Sequence, residues 1–251
     1  MISRRRLIGS LAAGSGGLLL GGCDRLNDSP RFREILRGGE ALTMRAQRLL
    51  IDRGALAREY RPDQRSRIFR SNGTRMPGSP RYAAQAANGF ADWRLAVDGL
   101  VARPLSLSLG TIMAMPRRAQ TTRHDCVEGW SAIGQWTGVP LKLLLDQAGL
   151  RDRARYIVFH CADDFSGTPY YESIDLVDAF HPQTIMAWAL NGAMLPVPNG
   201  APLRLRVERM LGYKHAKYVE RIEAVASLGQ IAGGRGGYWE DVADYEWYAG
   251  I

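Results

Sequence analysis

The chain has 251 residues, 46% hydrophobic and 23% charged, enough for one large domain or two small ones with a full core. Its formal charge of +8 falls to +5 without Arg4, Arg5 and Arg6, a mild basic bias that suits anionic ligands or a lipid surface. No arginine–aromatic ladder or zinc-finger spacing points to nucleic acid, and three cysteines are too few for a disulfide scaffold.

Residues 1–23 read as a signal segment. Ser3-Arg4-Arg5-Arg6-Leu7 is a basic head, Leu7 to Leu20 an apolar stretch diluted by Gly and Ala, and Leu20-Gly21-Gly22-Cys23 a small-residue site. The stretch is shorter than the roughly 20 apolar residues a spanning helix needs. The head resembles the twin-arginine export signal, with Leu7 where phenylalanine is usual. The end resembles a bacterial lipoprotein cleavage site, which makes Cys23 the lipidated first residue and places the protein in the periplasm, anchored to the inner membrane. Twin-arginine export carries folded proteins, so it fits a chain that receives a complex cofactor in the cytoplasm. A short uncleaved anchor, or a secretory signal with a chance cysteine, is the plainer alternative.

Residues 24–65 read as an arginine-rich helical arm, with Leu42, Met44, Leu49, Leu50 and Leu56 at roughly helical spacing. Gly38-Gly39 and Pro62 are expected to punctuate it into one or two helices. Its arginines form a solvated face or lie against anionic head groups.

Residues 66–251 read as the main domain. Ser71-Asn72-Gly73 and Pro77-Gly78-Ser79-Pro80 mark a long loop. Trp93 to Val101 opens a sheet with Trp93, Leu95 and Val97 on one face, and Pro104 to Leu107 is a second strand before a helical turn near Met113. Gln120 to Cys126 is a strand that delivers Cys126 at its end. Pro140 to Leu145 starts a helix that stops near Gly149. Tyr156 to Cys161 is a buried strand. Asp175 to Phe180 is a short helix capped by Ser173 or Asp175. Asn191-Gly192 is a turn, Leu203 to Val207 a strand with its arginines on one face, and Lys217 to Val225 another strand. Gly233 to Gly237 is a flexible connector before Tyr238-Trp239; it lacks the lysine and Ser/Thr of a phosphate loop. Strands mixed irregularly with short helices argue an α+β fold.

The chemistry centres on His124-Asp125-Cys126-Val127-Glu128-Gly129-Trp130-Ser131. A thiolate is a good ligand for a soft or high-valent metal. The same cysteine also reads as a buried structural residue, as half of a Cys126–Cys161 disulfide, or as a thiol activated by His124. On this stretch alone a structural role is the simplest reading. Zinc held by His124, Cys126, His160 and Cys161 fails on spacing.

Cys126-Val127-Glu128-Gly129-Trp130-Ser131, followed by Trp136 to Leu141, resembles the molybdopterin-binding domain of the sulfite oxidase family. The likeness is nearest to the branch containing the catalytic subunit of periplasmic protein-methionine-sulfoxide reductase. Tyr156 to Cys161, Asn199 to Arg204 and Gly212-Tyr213-Lys214 match in the family's order, over roughly Ile68 to Ala226. The resemblance implies that Cys126 ligates molybdenum beside one molybdopterin. It implies cofactor contacts from Asn72, Cys161, Asn199, Arg204, Gly212, Tyr213 and Lys214, with a thiol at Cys161 where the branch often has threonine. Arg204 offers a fork for phosphate and Lys214 a point charge. Arg123 and His124 are candidates to orient a substrate oxygen or donate a proton, against the alternative that they satisfy the backbone and one another. Glu128 has no assigned counterpart.

The activity implied is oxygen-atom transfer at sulfur. The expected form is reduction of an S- or N-oxide, such as protein methionine sulfoxide, by a monomer fed from a membrane cytochrome. The alternatives are a sulfite dehydrogenase passing electrons to cytochrome c, and a metal-free binding lipoprotein.

Overall fold

The structure is a computed structural model that describes residues 29–251. The expected signal segment, with Cys23, lies outside the described residues. The chain divides into two compact units after Leu50.

The described part of the first unit is helix α1 (Pro30–Leu50), which starts on a proline and carries Arg48 in its last turn. One helix runs straight through Gly38-Gly39, where the sequence suggested a break. Each glycine costs a helix about 1 kcal/mol against alanine, which weakens it without removing a backbone donor.

The second unit, Ile51–Ile251, is built on two sheets. The first sheet holds β1 (Arg94–Gly99), β2 (Leu105–Ser108), β5 (Tyr156–Phe165), β6 (Thr168–Asp175) and β10 (Val219–Val225), in the order β2-β1-β10-β5-β6. Only β1 and β10 run parallel within it. The second sheet holds β3 (Arg118–Asp125), β4 (Ser131–Pro140), β7 (Ile185–Leu190) and β8 (Ala193–Met194), with β9 (Arg204–Arg206) paired to β7. Glu59 bridges Thr122, and the amide of Tyr60 donates to Thr121, so the stretch after α1 joins the second sheet at β3.

The core follows the alternation expected of β1. Trp93, Leu95 and Val97 are buried with Ile157 and Phe159 of β5 and Ile222 of β10. Helix α4 (Leu141–Ala148) adds Leu141, Leu144, Leu145 and Ala148 to the same core and stops at Gly149. The α+β reading holds. Several elements were not legible, β8 and the helix at Tyr238–Ala243 among them. Pro80 begins helix α2 (Pro80–Ala87), capped by the Ser79 hydroxyl, where the sequence read as loop. Strands β4 and β7 escape because Gly134, Gly138 and three alanines dilute their pattern, and β6 because it pairs directly behind β5. Three short helices complete the unit: α3 (Leu109–Ala114), α5 (Leu176–Ala179) and α6 (Tyr238–Ala243). Asp175 caps α5, one of its two expected caps.

Candidate active site

Strands β3 and β4 pair to their very ends, Asp125 against Ser131, and the five residues between them turn back tightly. The Cys126 amide donates to the Trp130 carbonyl and the Gly129 amide to the Cys126 carbonyl. Gly129 takes a left-handed φ of 84°, which suits a residue without a Cβ. The turn holds Cys126 buried on the wall of an open cleft that it shares with Asn72, Glu128, Asp163 and Lys217. Asn72 points its side-chain amide at the Cys126 sulfur, 3.7 Å away. Glu128 lines the same cleft, and its carboxylate accepts from the Trp130 indole at 2.9 Å. Both Cys126 and Cys161 are free thiols, so the disulfide alternative falls. Burial pushes the Cys126 thiol above its usual range.

The cleft has a polar side. Lys217 reaches it and donates to the carbonyls of Asn72, Thr74 and Pro198. Burial, with Arg204 nearby, brings the Lys217 ammonium down to about 7. Asp163 faces the same space, and burial raises its carboxyl to about 6. Behind this wall, Arg204 is buried over the Trp136 ring and donates to the carbonyls of Asn199 and His215. Its Nε, the Asn199 amide nitrogen and Asp163 Oδ1 are buried with no partner among the described residues. The two orphaned donors, Arg204 Nε and the Asn199 amide nitrogen, with Lys217 and Arg204 making no ion pair to a carboxylate among the described residues, describe an anion site, while Asp163 Oδ1 is an unpartnered acceptor beside it.

The other side is aromatic. Phe165, Tyr170, Tyr213, Trp239 and Tyr245 line the cleft. They are joined by ring contacts, among them Phe165–Trp239 at 5.3 Å and Tyr213–Tyr245 at 5.0 Å. The tail, from α6 onward, contributes Trp239 and Tyr245 to this wall.

A buried cluster fastens the tail. The Lys214 ammonium lies between the carboxylates of Glu172 and Glu240, all three fully buried. Burial and Glu240 push the Glu172 carboxyl well above its usual range, so the cluster keeps a proton instead of a second negative charge. Lys214 is therefore an internal clamp between β6, α6 and the turn at Gly212–Lys214. It does not line the cleft, whereas Lys217 does.

The other expected residues divide. Asn72, Cys126, Gly212 and Tyr213 line the cleft; Asn199 and Arg204 stand behind its polar wall. Gly212 has a steric reason: a Cβ there would lie 2.5 Å from His124 Nε2. Cys161 does not line the cleft; its sulfur packs on the core near the Phe159 carbonyl. His124 is buried behind the cleft wall, where Nδ1 accepts from Arg206 at 3.0 Å. Burial and the two arginines hold it well below the usual histidine range, so it is a neutral imidazole and not a proton donor. Arg123 faces solvent and pairs with Asp125, away from the cleft. The strand alternation that buries His124 exposes Arg123.

Sequence reasoning missed Asp163, His215, Lys217, Trp239 and Tyr245. Lys217 had no signal that set it apart from Lys214, since both lie in the buried run Gly212 to Val219.

Comparison with known proteins bears on the family and the fold. Residues 82–229 match a family described as oxidoreductase molybdopterin binding domain. The chain is 37% identical over 236 residues to YedZ1 of Azospira oryzae, named as a protein-methionine-sulfoxide reductase subunit, covering 94% of this chain and 83% of that protein. It is 34% identical over 179 residues to the protein-methionine-sulfoxide reductase catalytic subunit MsrP of Xanthomonas campestris pv. campestris, covering 67% of this chain and 53% of that one. Among solved structures, the sulfane dehydrogenase SoxCD of Paracoccus pantotrophus shares the fold, with a TM-score of 0.50 and 24% identity over 55% of this chain and 39% of that one.

Proposed function

The chain belongs to the oxidoreductase molybdopterin binding domain family, and on that premise we propose that it reduces a sulfoxide in the Cys126 cleft. It is an oxidoreductase, and molybdenum–molybdopterin is its cofactor. One observation carries the assignment to this cleft: a buried thiol shares it with the Lys217 ammonium, which has no carboxylate ion-pair partner among the described residues, and two orphaned donors stand behind its wall.

The residues present fit the cofactor. Among the described residues no group of three or more His, Cys, Asp or Glu side chains could hold a metal, so an ion at Cys126 takes its remaining ligands from elsewhere. Cys126 would hold molybdenum as a thiolate, which metal coordination deprotonates despite the burial. Arg204, Lys217, Asn199 and Asn72 would hold the anionic pterin and its phosphate. When bound, the cofactor supplies two-electron oxygen-atom chemistry that no side chain offers.

The protein's part is binding, orientation and protons. A sulfoxide takes up two electrons and two protons and leaves as thioether and water. Asp163, at about 6, is matched to give a proton near neutral pH. Glu128, two residues from Cys126 and fixed by the Trp130 indole, holds a second carboxylate at the cleft. The aromatic wall excludes water and offers ring edges to a methyl sulfoxide, a good fit for the side chain of oxidised methionine.

The same reading makes the protein periplasmic, exported through its twin-arginine segment and held to the inner membrane by lipidated Cys23. It is a monomer, with electrons arriving from a membrane cytochrome. The relatives named as sulfoxide reductase subunits support the direction of the reaction. Steady-state assays test it: methionine sulfoxide with a reduced viologen, against sulfite with a ferric acceptor. Turnover with sulfoxide is expected. Turnover with sulfite alone would replace this reading by the dehydrogenase one.

A further inference from the structure

We propose that α1 is a membrane-surface helix that lies along an anionic lipid bilayer, an anchor separate from any acyl chain and independent of the reaction in the cleft. At about 100° per residue, Phe32, Ile35, Leu42, Leu49 and Leu50 fall within an arc of roughly 100°. Arg33 and Arg48 fall on the opposite side, while Arg31 and Arg45 border the arc. The apolar arc is open to solvent: Leu49 is 85% exposed, Leu50 84%, Ile35 70% and Leu42 66%. Scattered exposed apolar residues are ordinary, but three leucines and an isoleucine on one helical face are an unburied stripe.

Charge says what covers the stripe. Helix α1 carries five arginines against two glutamates. From residue 29 to 81 there are thirteen arginines, no lysine and five acids, a net charge of +8. From residue 82 to 251 there are sixteen lysines and arginines against eighteen acids, a net charge of −2. The positive excess of the described chain is therefore concentrated ahead of the family domain, on and just after the amphipathic helix. An apolar stripe flanked by arginines matches acyl chains below anionic phosphates, which guanidinium forks pair in two places at once. Among the described residues no helix is long and apolar enough to cross a membrane, so α1 would lie in the interface plane.

The test uses the full chain carrying Cys23→Ser, so that no acyl chain contributes. Flotation is measured with phosphatidylcholine vesicles and with vesicles containing roughly one-third phosphatidylglycerol. The expected result is association with the anionic vesicles, weakened by salt and at least about tenfold weaker on phosphatidylcholine alone. Adding Leu42→Glu and Leu49→Glu should lower that association by about tenfold or more, with cofactor content unchanged. Arg45→Glu with Arg48→Glu should lower it likewise while leaving the stripe intact. The leader is common to all these proteins and cancels in the comparison. Equal association of parent and both double variants would overturn the proposal. So would binding to protease-sensitive sites on native membranes with none to protein-free vesicles, which would make the occupant a protein.

Discussion

Arg206 donates to Nδ1 of His124 across 3.0 Å, and both side chains are buried behind the cleft wall. Because the guanidinium is itself held by Glu208 at 2.6 Å, the imidazole is always the acceptor at Nδ1 and keeps its proton on Nε2. Nitrogen NMR should therefore show one neutral tautomer of His124 between about pH 5 and 8. An imidazolium signal near pH 6 would restore a proton-donor role and contradict this geometry.

Lys214 gives a second prediction. Lys214→Met leaves Glu172 and Glu240 facing each other without a cation. Breaking a buried pair costs about 3–5 kcal/mol, so the melting temperature should fall by roughly 10 °C. The molecules that still fold should keep their cofactor, since the ammonium does not line the cleft. Arg204→Leu should do the reverse at the site, lowering cofactor content in folded protein. Cofactor loss in Lys214→Met with an unchanged melting temperature would make Lys214 a phosphate contact after all.

These two lysines show where the sequence ran out. Periodicity identified β1, β5 and α4, because Trp93, Leu95 and Val97, and Leu141, Leu144 and Leu145, repeat at the spacing of their elements. The Cys126 turn was legible as a motif. Which lysine of Gly212-Tyr213-Lys214-His215-Ala216-Lys217 faces the cleft was not, since both sit in one short run. A single 3-10 turn over Gly212–Lys214 decides it, swinging Lys214 toward acids 42 and 26 residues away in sequence. Trp239 and Tyr245 were illegible for a similar reason: only tertiary packing brings the tail back over the cleft. Arg123 and His124 part company, one exposed and one buried, because neighbours on a strand face opposite ways.

Asp163 and Lys217 set a pH dependence in the cofactor-free protein. The folded Asp163 value, about 6, exceeds its unfolded value, so its contribution is fully present below about pH 4 and is lost as pH rises through 6. The folded Lys217 value, about 7, lies below its unfolded value, so its contribution is present above about pH 10 and is lost as pH falls through 7. Together they place a dip in stability between about pH 6 and 7. Melting curves of apoprotein should show Asp163→Asn flattening the acid arm and Lys217→Met the basic arm. Parallel profiles for wild type and both variants would count against the assignment of these groups.

The aromatic wall makes a kinetic prediction. Trp239→Ala should raise KM for a methionine sulfoxide substrate by about threefold to tenfold, the range of a lost sulfur–aromatic contact, with kcat changed less. Trp239→Phe should recover most of it. A fall in kcat at constant KM would place the indole against the cofactor instead of the substrate.

The bond between Cys126 and the metal is tested most directly by molybdenum X-ray absorption on holoprotein matured in the cytoplasm. The account expects a protein thiolate beside the pterin sulfurs, one sulfur scatterer lost in Cys126→Ser, and an unchanged spectrum in Cys161→Ser, whose sulfur lies off the cleft. Protein without molybdenum, or the same sulfur shell in wild type and Cys126→Ser, would contradict it.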